Sequence, residues 1–523
     1  MGVSAPIPTK TGLRISADGL ILDAENPHRD RGAIRVVLTV RQGGLIVYRD
    51  TVNLTSGRAR ERIVRTLAEK GIPLDPQVLV ILDEVCRTKP PSSETHLGDG
   101  GTDVSETPPL DITGLEAGFK HWLLIKDLAY LPVLTGAVLA HPLGGDPVWL
   151  LAVGPPGGTK TEPLRALYGY PGIYPLSDLT AQTFASGLDL PHGRDASLLT
   201  RLNDEILVLK DFTTVLQMHR EERQKILAQL REIYDGRFDK VWGTGRELHW
   251  EGRLGFVGGV TPIIDKHHAA MAVLGERFVL FRPLMPDRND LARAALGSCG
   301  HEVEMRSDLR QAMHGFLRSR STEPPTLSEA GHARLAAVAD FTTRARSAVV
   351  REGYSRELQY APEPEAPTRF AKVLCALAGG IARAYDSPKI TDRELHLVGR
   401  VALDCLPLVR RRVIAVLVEQ TIHSGDALVL YEVVKAAGGA TGVVRRTLED
   451  LEALGVVRRF PSGTGKADGW AIKPECADAF RVLTDSANGC ATLSDKSGKV
   501  SGDGVPETSE GTPHTELGTG SVK

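Results

Sequence analysis

Val148-Trp149-Leu150-Leu151-Ala152-Val153-Gly154-Pro155-Pro156-Gly157-Gly158-Thr159-Lys160-Thr161 is an apolar run that passes into a Gly/Pro-rich loop and ends in Lys-Thr. It lies one residue away from the phosphate-loop pattern G-x-x-x-x-G-K-[ST]. The order has a chemical logic. An apolar strand fixes one end, and the loop Gly154, Pro155, Pro156, Gly157, Gly158, Thr159 turns backbone N–H groups inward on phosphate oxygens. The Lys160 ammonium is then expected to reach the β- and γ-phosphates of ATP, and the Thr161 hydroxyl to bind Mg²⁺. A helix from about Thr161 would aim its positive end at the same anion. Thr159 stands where the pattern has its second glycine, and a β-branched residue is costly if φ is positive there. Gly157 and Gly158 can absorb that departure. The same string also suits a plain Gly/Pro turn before a lysine.

The chain around this loop has 523 residues, too many for one ordinary core, so several folded units are expected. With 42% hydrophobic and 24% charged residues it reads as globular. The net charge of −2 supplies no global basic field, so any nucleic-acid contact must use a local patch. The six cysteines are scattered without a C-x-x-C pair, which argues against a zinc site or a disulfide framework and fits a reducing compartment. The N-terminus has no apolar signal region and no stretch suits a membrane span, so the expected location is cytoplasmic.

Residues 12–87 read as a small α+β domain. Ala33-Ile34-Arg35-Val36-Val37-Leu38-Thr39-Val40 alternates, Gln42-Gly43-Gly44 turns, Leu45 to Arg49 continues, and a helix from Gly57 to about Lys70 follows. Residues 88–113 are Pro, Gly, Ser and Thr rich and read as a flexible linker. Residues 114–287 alternate strand-like and helix-like runs, the pattern of an α/β core. Residues 288–420 read as mostly helical, residues 421–482 as another small unit, and residues 483–523 as a disordered tail.

A phosphate loop needs a second strand that ends in an acid. Glu205-Ile206-Leu207-Val208-Leu209-Lys210-Asp211 fits, about 50 residues after the loop, and makes Asp211 the candidate Mg²⁺ partner, with a helix expected from Val215 to Tyr234. Equally, Asp211 suits a plain helix cap. Phe212 follows where many such sites place a glutamate, so another base is needed or turnover is slow; Asp178, after Ile173 to Leu176, is one substitute. A third strand, Arg253 to Val260, ends at Thr261, whose hydroxyl can meet a γ-phosphate. A fourth, Phe278 to Phe281, is flanked by Arg277 and Arg282.

This order resembles the AAA+ ATPases, and within them the minichromosome-maintenance-type helicase branch. The segment Tyr174-Pro175-Leu176-Ser177-Asp178-Leu179-Thr180 and the step Gly275-Glu276-Arg277-Phe278 carry the local likeness. The resemblance implies an α/β P-loop core with a helical lid over 288–420. It makes Thr261 the first sensor, Arg277 a finger reaching a neighbour's γ-phosphate, and Arg369 the second sensor. It also implies a homo-oligomeric ring. Between the acidic and sensor strands, Ile226 to Tyr234 reads as an amphipathic helix ended by Asp235-Gly236, followed by a hairpin. There Arg237, Lys240 and Arg246 are candidates for a phosphate backbone, although a solvated hairpin fits as well. His267 and His268 lack further ligands at metal spacing and suit a surface.

Residues 421–473 run helix, turn, helix from Gly442 to Leu454, then Val456 to Phe460, a polar turn and Gly469 to Ile472, which resembles a winged helix. Arg445 and Arg446 on the second helix, with Arg458, Arg459 and Lys466 on the wing, are candidate nucleic-acid contacts. The expectation is an ATP-hydrolysing motor on DNA, helicase-like, in replication of a phage or mobile element. Two other readings are a nucleotide-dependent assembly switch with little turnover and a scaffold without nucleotide.

Overall fold

The computed structural model describes residues 7–9, 12–17, 19–30, 33–42, 45–88, 110–190, 194–271, 277–360, 363–423, 425–463 and 467–483. Most of the expected linker, the tail after 483, the Gly43-Gly44 turn, Gly275, Glu276 and Lys466 lie outside these residues.

The N-terminal unit is a five-stranded antiparallel meander with two helices, Gly57–Ala68 and Pro76–Thr88, and its own apolar core. Ala33–Gln42 and Leu45–Asn53 are the two strands expected from sequence; Ile7–Thr9, Gly12–Ala17 and Leu20–Asp30 precede them. Leu20–Asp30 escaped a sequence reading because its polar second half masks the alternation. Among the residues whose side chains are described, Leu20, Leu22 and Ala24 turn inward, while Asp23 is buried against Arg14 at 2.6 Å.

The central unit is built on a parallel sheet. Its elements, labelled within this unit, are α1 (Tyr130–Ala140), β1 (Trp149–Val153), α2 (Thr161–Ala166), β2 (Ile173–Leu176), β3 (Ile206–Leu209), α3 (Arg220–Tyr234), β4 (Gly255–Val260) and β5 (Phe278–Phe281). The strand order is β5-β1-β4-β3-β2, with every pair parallel. β1, β3 and β4 are buried throughout, which is why they read as unbroken apolar runs rather than alternating ones. Trp149, Phe212, Phe256 and Phe278 pack ring to ring, with neighbouring centroids 5.1–6.0 Å apart. Each such buried ring contributes roughly 1.5–3 kcal/mol. The helix expected over 215–234 is broken into Thr213–Gln217 and α3; the chain turns extended at Met218, and Arg223 bonds the Leu216 and Met218 carbonyls at the break.

After β5 come α4 (Glu302–Arg318), the helix Glu329–Arg346, a short hairpin of Val350–Arg351 with Leu358–Tyr360, and α5 (Thr368–Ala384). The helix Asp392–Asp404 then starts on a Thr391–Glu394 capping box. The hairpin interrupts a stretch expected to be helical. α1 is apolar on all sides and wholly buried, and it crosses α5 where two glycines meet: a Cβ on Gly380 would fall 1.9 Å from the Gly136 carbonyl oxygen. The C-terminal unit carries α6 (Thr441–Ala453) and a three-stranded antiparallel sheet in which Gly469–Ile472 lies between Leu428–Val429 and Val457–Phe460. Among the described residues no helix is long and apolar enough to cross a membrane.

Candidate nucleotide site

The loop after β1 and the ends of β3 and β4 meet at one edge of the sheet. The register Val153↔Val260 and Leu209↔Gly258 puts these strand ends level, at the carboxyl edge where open α/β sheets bind ligands. Gly154 N–H donates to the Val260 carbonyl at 3.0 Å, which ties the start of the loop to the end of β4. The turn closes with Gly158 N–H on the Pro155 carbonyl at 3.2 Å, and Gly157 sits at φ +73. The left-handed position thus falls on a glycine, two residues before Thr159, so the threonine carries no such strain.

Lys160 is 6% exposed. Its ammonium donates to the carbonyls of Gly154 at 3.1 Å and Pro155 at 2.9 Å. Burial pushes its pKa down, and the charge of Asp211 pulls it back up. The lysine and the acid from two different strand ends therefore share one field. They do so across β4, whose Gly258-Gly259 pair supplies the room: a Cβ on Gly259 would stand 3.4 Å from Lys160 Cε and 2.6 Å from the Lys210 carbonyl oxygen. Sequence reasoning missed this pair, although glycines inside an apolar strand signal close backbone approach. It also missed Tyr130, whose hydroxyl donates to the Lys160 carbonyl at 3.0 Å, and Met285, which covers the loop at Gly158.

Asp211 is exposed and its Oδ1 accepts the Thr213 N–H at 2.9 Å, an arrangement that orients the carboxylate and starts the next short helix. Thr213 also bonds Thr261, hydroxyl to hydroxyl at 3.1 Å, and accepts the Thr261 N–H at 3.0 Å. Lys160, Asp211 and Thr261 are thus brought together, with Thr161 opening α2 beside them. α2 has six residues, so its dipole adds little. Asp178 follows β2 at the same edge, exposed, and its Oδ1 accepts the Leu179 N–H at 2.8 Å. Phe212 is fully buried and offers no acid.

Arg277 and Arg369 are elsewhere. Arg277 precedes β5, whose first residue pairs with Trp149 at the start of β1. That is the opposite edge of the sheet, about 13 Å of strand away from the loop. Arg277 is 5% exposed, bonds Asp235 at 2.6 Å and lies 5.3 Å from the Tyr234 ring centre. Arg369, in the first turn of α5, pairs with Glu365 at 3.6 Å; burial depresses the pKa of Arg277, Asp235 opposes that, and the positive charge of Arg369 adds a smaller push down. The two arginines therefore share one neighbourhood, apart from Lys160.

The expected hairpin pairs Arg237–Val241 with Glu247–Glu251. Arg237 is taken up by Asp239 at 2.7 Å. Lys240 and Arg246 flank the Trp242 ring at 5.1 Å and 5.6 Å. Beneath them lies a cavity of about 490 Å³ lined in part by Lys225, Gln229, Lys240 and Trp242. In the C-terminal unit Arg445 is exposed and Arg446 half-buried. Arg458 lies over Phe460, and Arg459 is held by Asp468. The acidic end of α6 is docked inward, with Asp450 bonded to Arg351 at 2.9 Å and Arg410 at 3.2 Å. Among the described residues no three His, Cys, Asp or Glu side chains gather as a metal cluster, and His267 and His268 belong to none. No family model and no curated protein matches this chain.

Proposed function

We propose that the chain is an ATP-binding, ATP-hydrolysing motor of the AAA+ type that acts on DNA as a ring, helicase-like, in replication of a phage or mobile element. The observation that carries this reading is the field shared by Lys160 and Asp211 across the glycines of β4. A buried ammonium beside a carboxylate at a strand-loop-helix junction suits a triphosphate, whose charge would draw Lys160 off its own loop carbonyls. Thr161 and Asp211 would hold Mg²⁺ together with phosphate oxygens and water, a donor set that this ion accepts. Bound there, the ion supplies neutralisation of charge on the transferred phosphoryl group. Thr261, braced by Thr213, would orient the γ-phosphate or the attacking water.

The placement of Arg277 and Arg369 supports assembly. At the far edge of the sheet they cannot serve their own loop, so a role in phosphoryl transfer requires the loop of a neighbour. DNA contact would fall to Lys240 and Arg246 around Trp242, and to Arg445, Arg446 and Arg458 of a winged-helix-like unit. A nucleotide-dependent assembly switch is the second reading, favoured by buried Phe212 in place of an acid next to Asp211.

ATP turnover with and without single-stranded DNA tests both, alongside Lys160→Ala and Arg277→Ala. DNA-stimulated turnover lost in both variants supports the motor. Tight nucleotide binding without turnover supports the switch. Absence of nucleotide binding by the intact chain overturns both.

A further inference from the structure

Outside the nucleotide edge, α2, its following turn, the end of β3 and one face of α4 bring many cations together. Arg306 and Arg165 both reach Glu162, at 3.3 Å and 3.7 Å. Lys210 Nζ lies 5.7 Å from the Tyr168 ring centre. Arg306, Arg310 and Arg318 recur at four- and eight-residue steps along α4, on one side of the helix. The groups feel each other's charges: burial and then Arg165 lower the pKa of Lys210, Glu162 pulls it back up, and Arg306 adds a smaller push down. His314, on the same helix, is driven down by burial and then by Arg310 and Arg318.

Three polar atoms in this neighbourhood are buried without a hydrogen-bond partner: Arg165 Nε, Tyr168 Oη and His314 Nε2. His314 is 5% exposed, and its ring meets Tyr170 at 5.4 Å. A buried polar atom left unbonded costs about 1–3 kcal/mol, but these three are closed to solvent, so a phosphate from outside would meet the half-buried Arg165, Lys210 and Arg306 and the exposed Arg318 instead. Partly exposed guanidinium groups, an ammonium and two tyrosines side by side combine backbone-tracking charge with flat apolar faces.

We propose that this face of α2 and α4 is a second nucleic-acid contact, which holds the phosphates of a single strand between Arg165, Lys210, Arg306 and Arg318. The inference rests on the nucleic-acid half of the function proposed above. It adds a contact path that begins at Glu162, next to Thr161, and at Lys210, next to Asp211, rather than at the hairpin or the C-terminal unit.

The test is binding of a fluorescent single-stranded oligonucleotide to the full chain across a salt series, with Arg306→Gln/Arg318→Gln and, separately, Glu162→Gln. The double variant is expected to lower the slope of log K against log salt by about 1.4, at about 0.7 per phosphate contact. Glu162→Gln is expected to tighten binding severalfold, a gain that misfolding does not produce. Unchanged slope and affinity in all variants, with the intact chain binding normally, overturns this inference alone. Failure of the intact chain to bind any strand overturns it together with the DNA reading. ATP titration separates the source of the phosphate: an unchanged ATP affinity in the double variant supports a strand, and a lost ATP affinity with intact strand binding assigns the patch to the nucleotide instead.

Discussion

Arg277 bonds Asp235 at 2.6 Å on the edge of the sheet opposite Lys160, with the guanidinium buried and the carboxylate half exposed. A group that leaves such a pair to meet a neighbour's phosphate exchanges one anion for another. Arg277→Ala is therefore expected to cut DNA-stimulated turnover about 10³-fold, the scale of a guanidinium supplied in trans, while ATP still binds. Mixing Arg277→Ala with Lys160→Ala subunits should restore part of the turnover, because mixed interfaces pair an intact lysine with an intact arginine. No recovery in the mixture would place the arginine's role within its own subunit.

Lys160→Ala is expected to abolish ATP binding measured by calorimetry. The variant removes the ammonium that the loop carbonyls of Gly154 and Pro155 hold in place, and with it the main side-chain charge facing a triphosphate. Unchanged affinity would contradict the site.

Gly259→Ala tests the spacing between the two halves of the site. Its methyl group would press 2.6 Å from the Lys210 carbonyl oxygen and 3.4 Å from Lys160 Cε. The expected outcome is a folded protein, destabilised by about 1–3 kcal/mol in denaturant, that binds ATP at least tenfold more weakly. Full affinity would show that β4 has room to spare.

Acid lability should trace partly to His314. Its pKa is lowered from 6.5 to about 4, by burial first and by Arg310 and Arg318 next. Below pH 6.5 the unfolded chain takes up a proton that the folded chain refuses until about pH 4. Stability therefore falls as pH falls through that window, by of order 3 kcal/mol in all. Denaturant midpoints measured at pH 7 and pH 4.5 should converge in His314→Gln, after allowance for the variant's own offset. Burial depresses His141 in the same direction, so the slope will not vanish.

The sheet was legible because buried parallel strands leave continuous apolar runs, and Val148 to Thr161 joins such a run to a Gly/Pro-rich loop. The place of Asp211 after a strand end was legible, with a magnesium partner and a plain helix cap both left open. Its approach to Lys160 was not, because that depends on the strand order β5-β1-β4-β3-β2 and on glycines in a strand lying between them. Nor could sequence show that Arg237 is answered by Asp239, two residues on along the same strand, or Arg459 by Asp468 on the other side of its hairpin, since a cation's partner depends on which way the side chains lie. The cationic face of α2 and α4 joins residues up to about 150 positions apart, beyond any local periodicity.

The glycine crossing of α1 and α5 has a mechanical meaning. With backbone against backbone at Gly136 and Gly380, neither helix can slide past the other without a collision. α1 grips the loop lysine's carbonyl through Tyr130, and α5 begins beside the arginine pair through Arg369. One backbone-to-backbone crossing thus joins the helix that holds the loop lysine's carbonyl to the helix that carries Arg369.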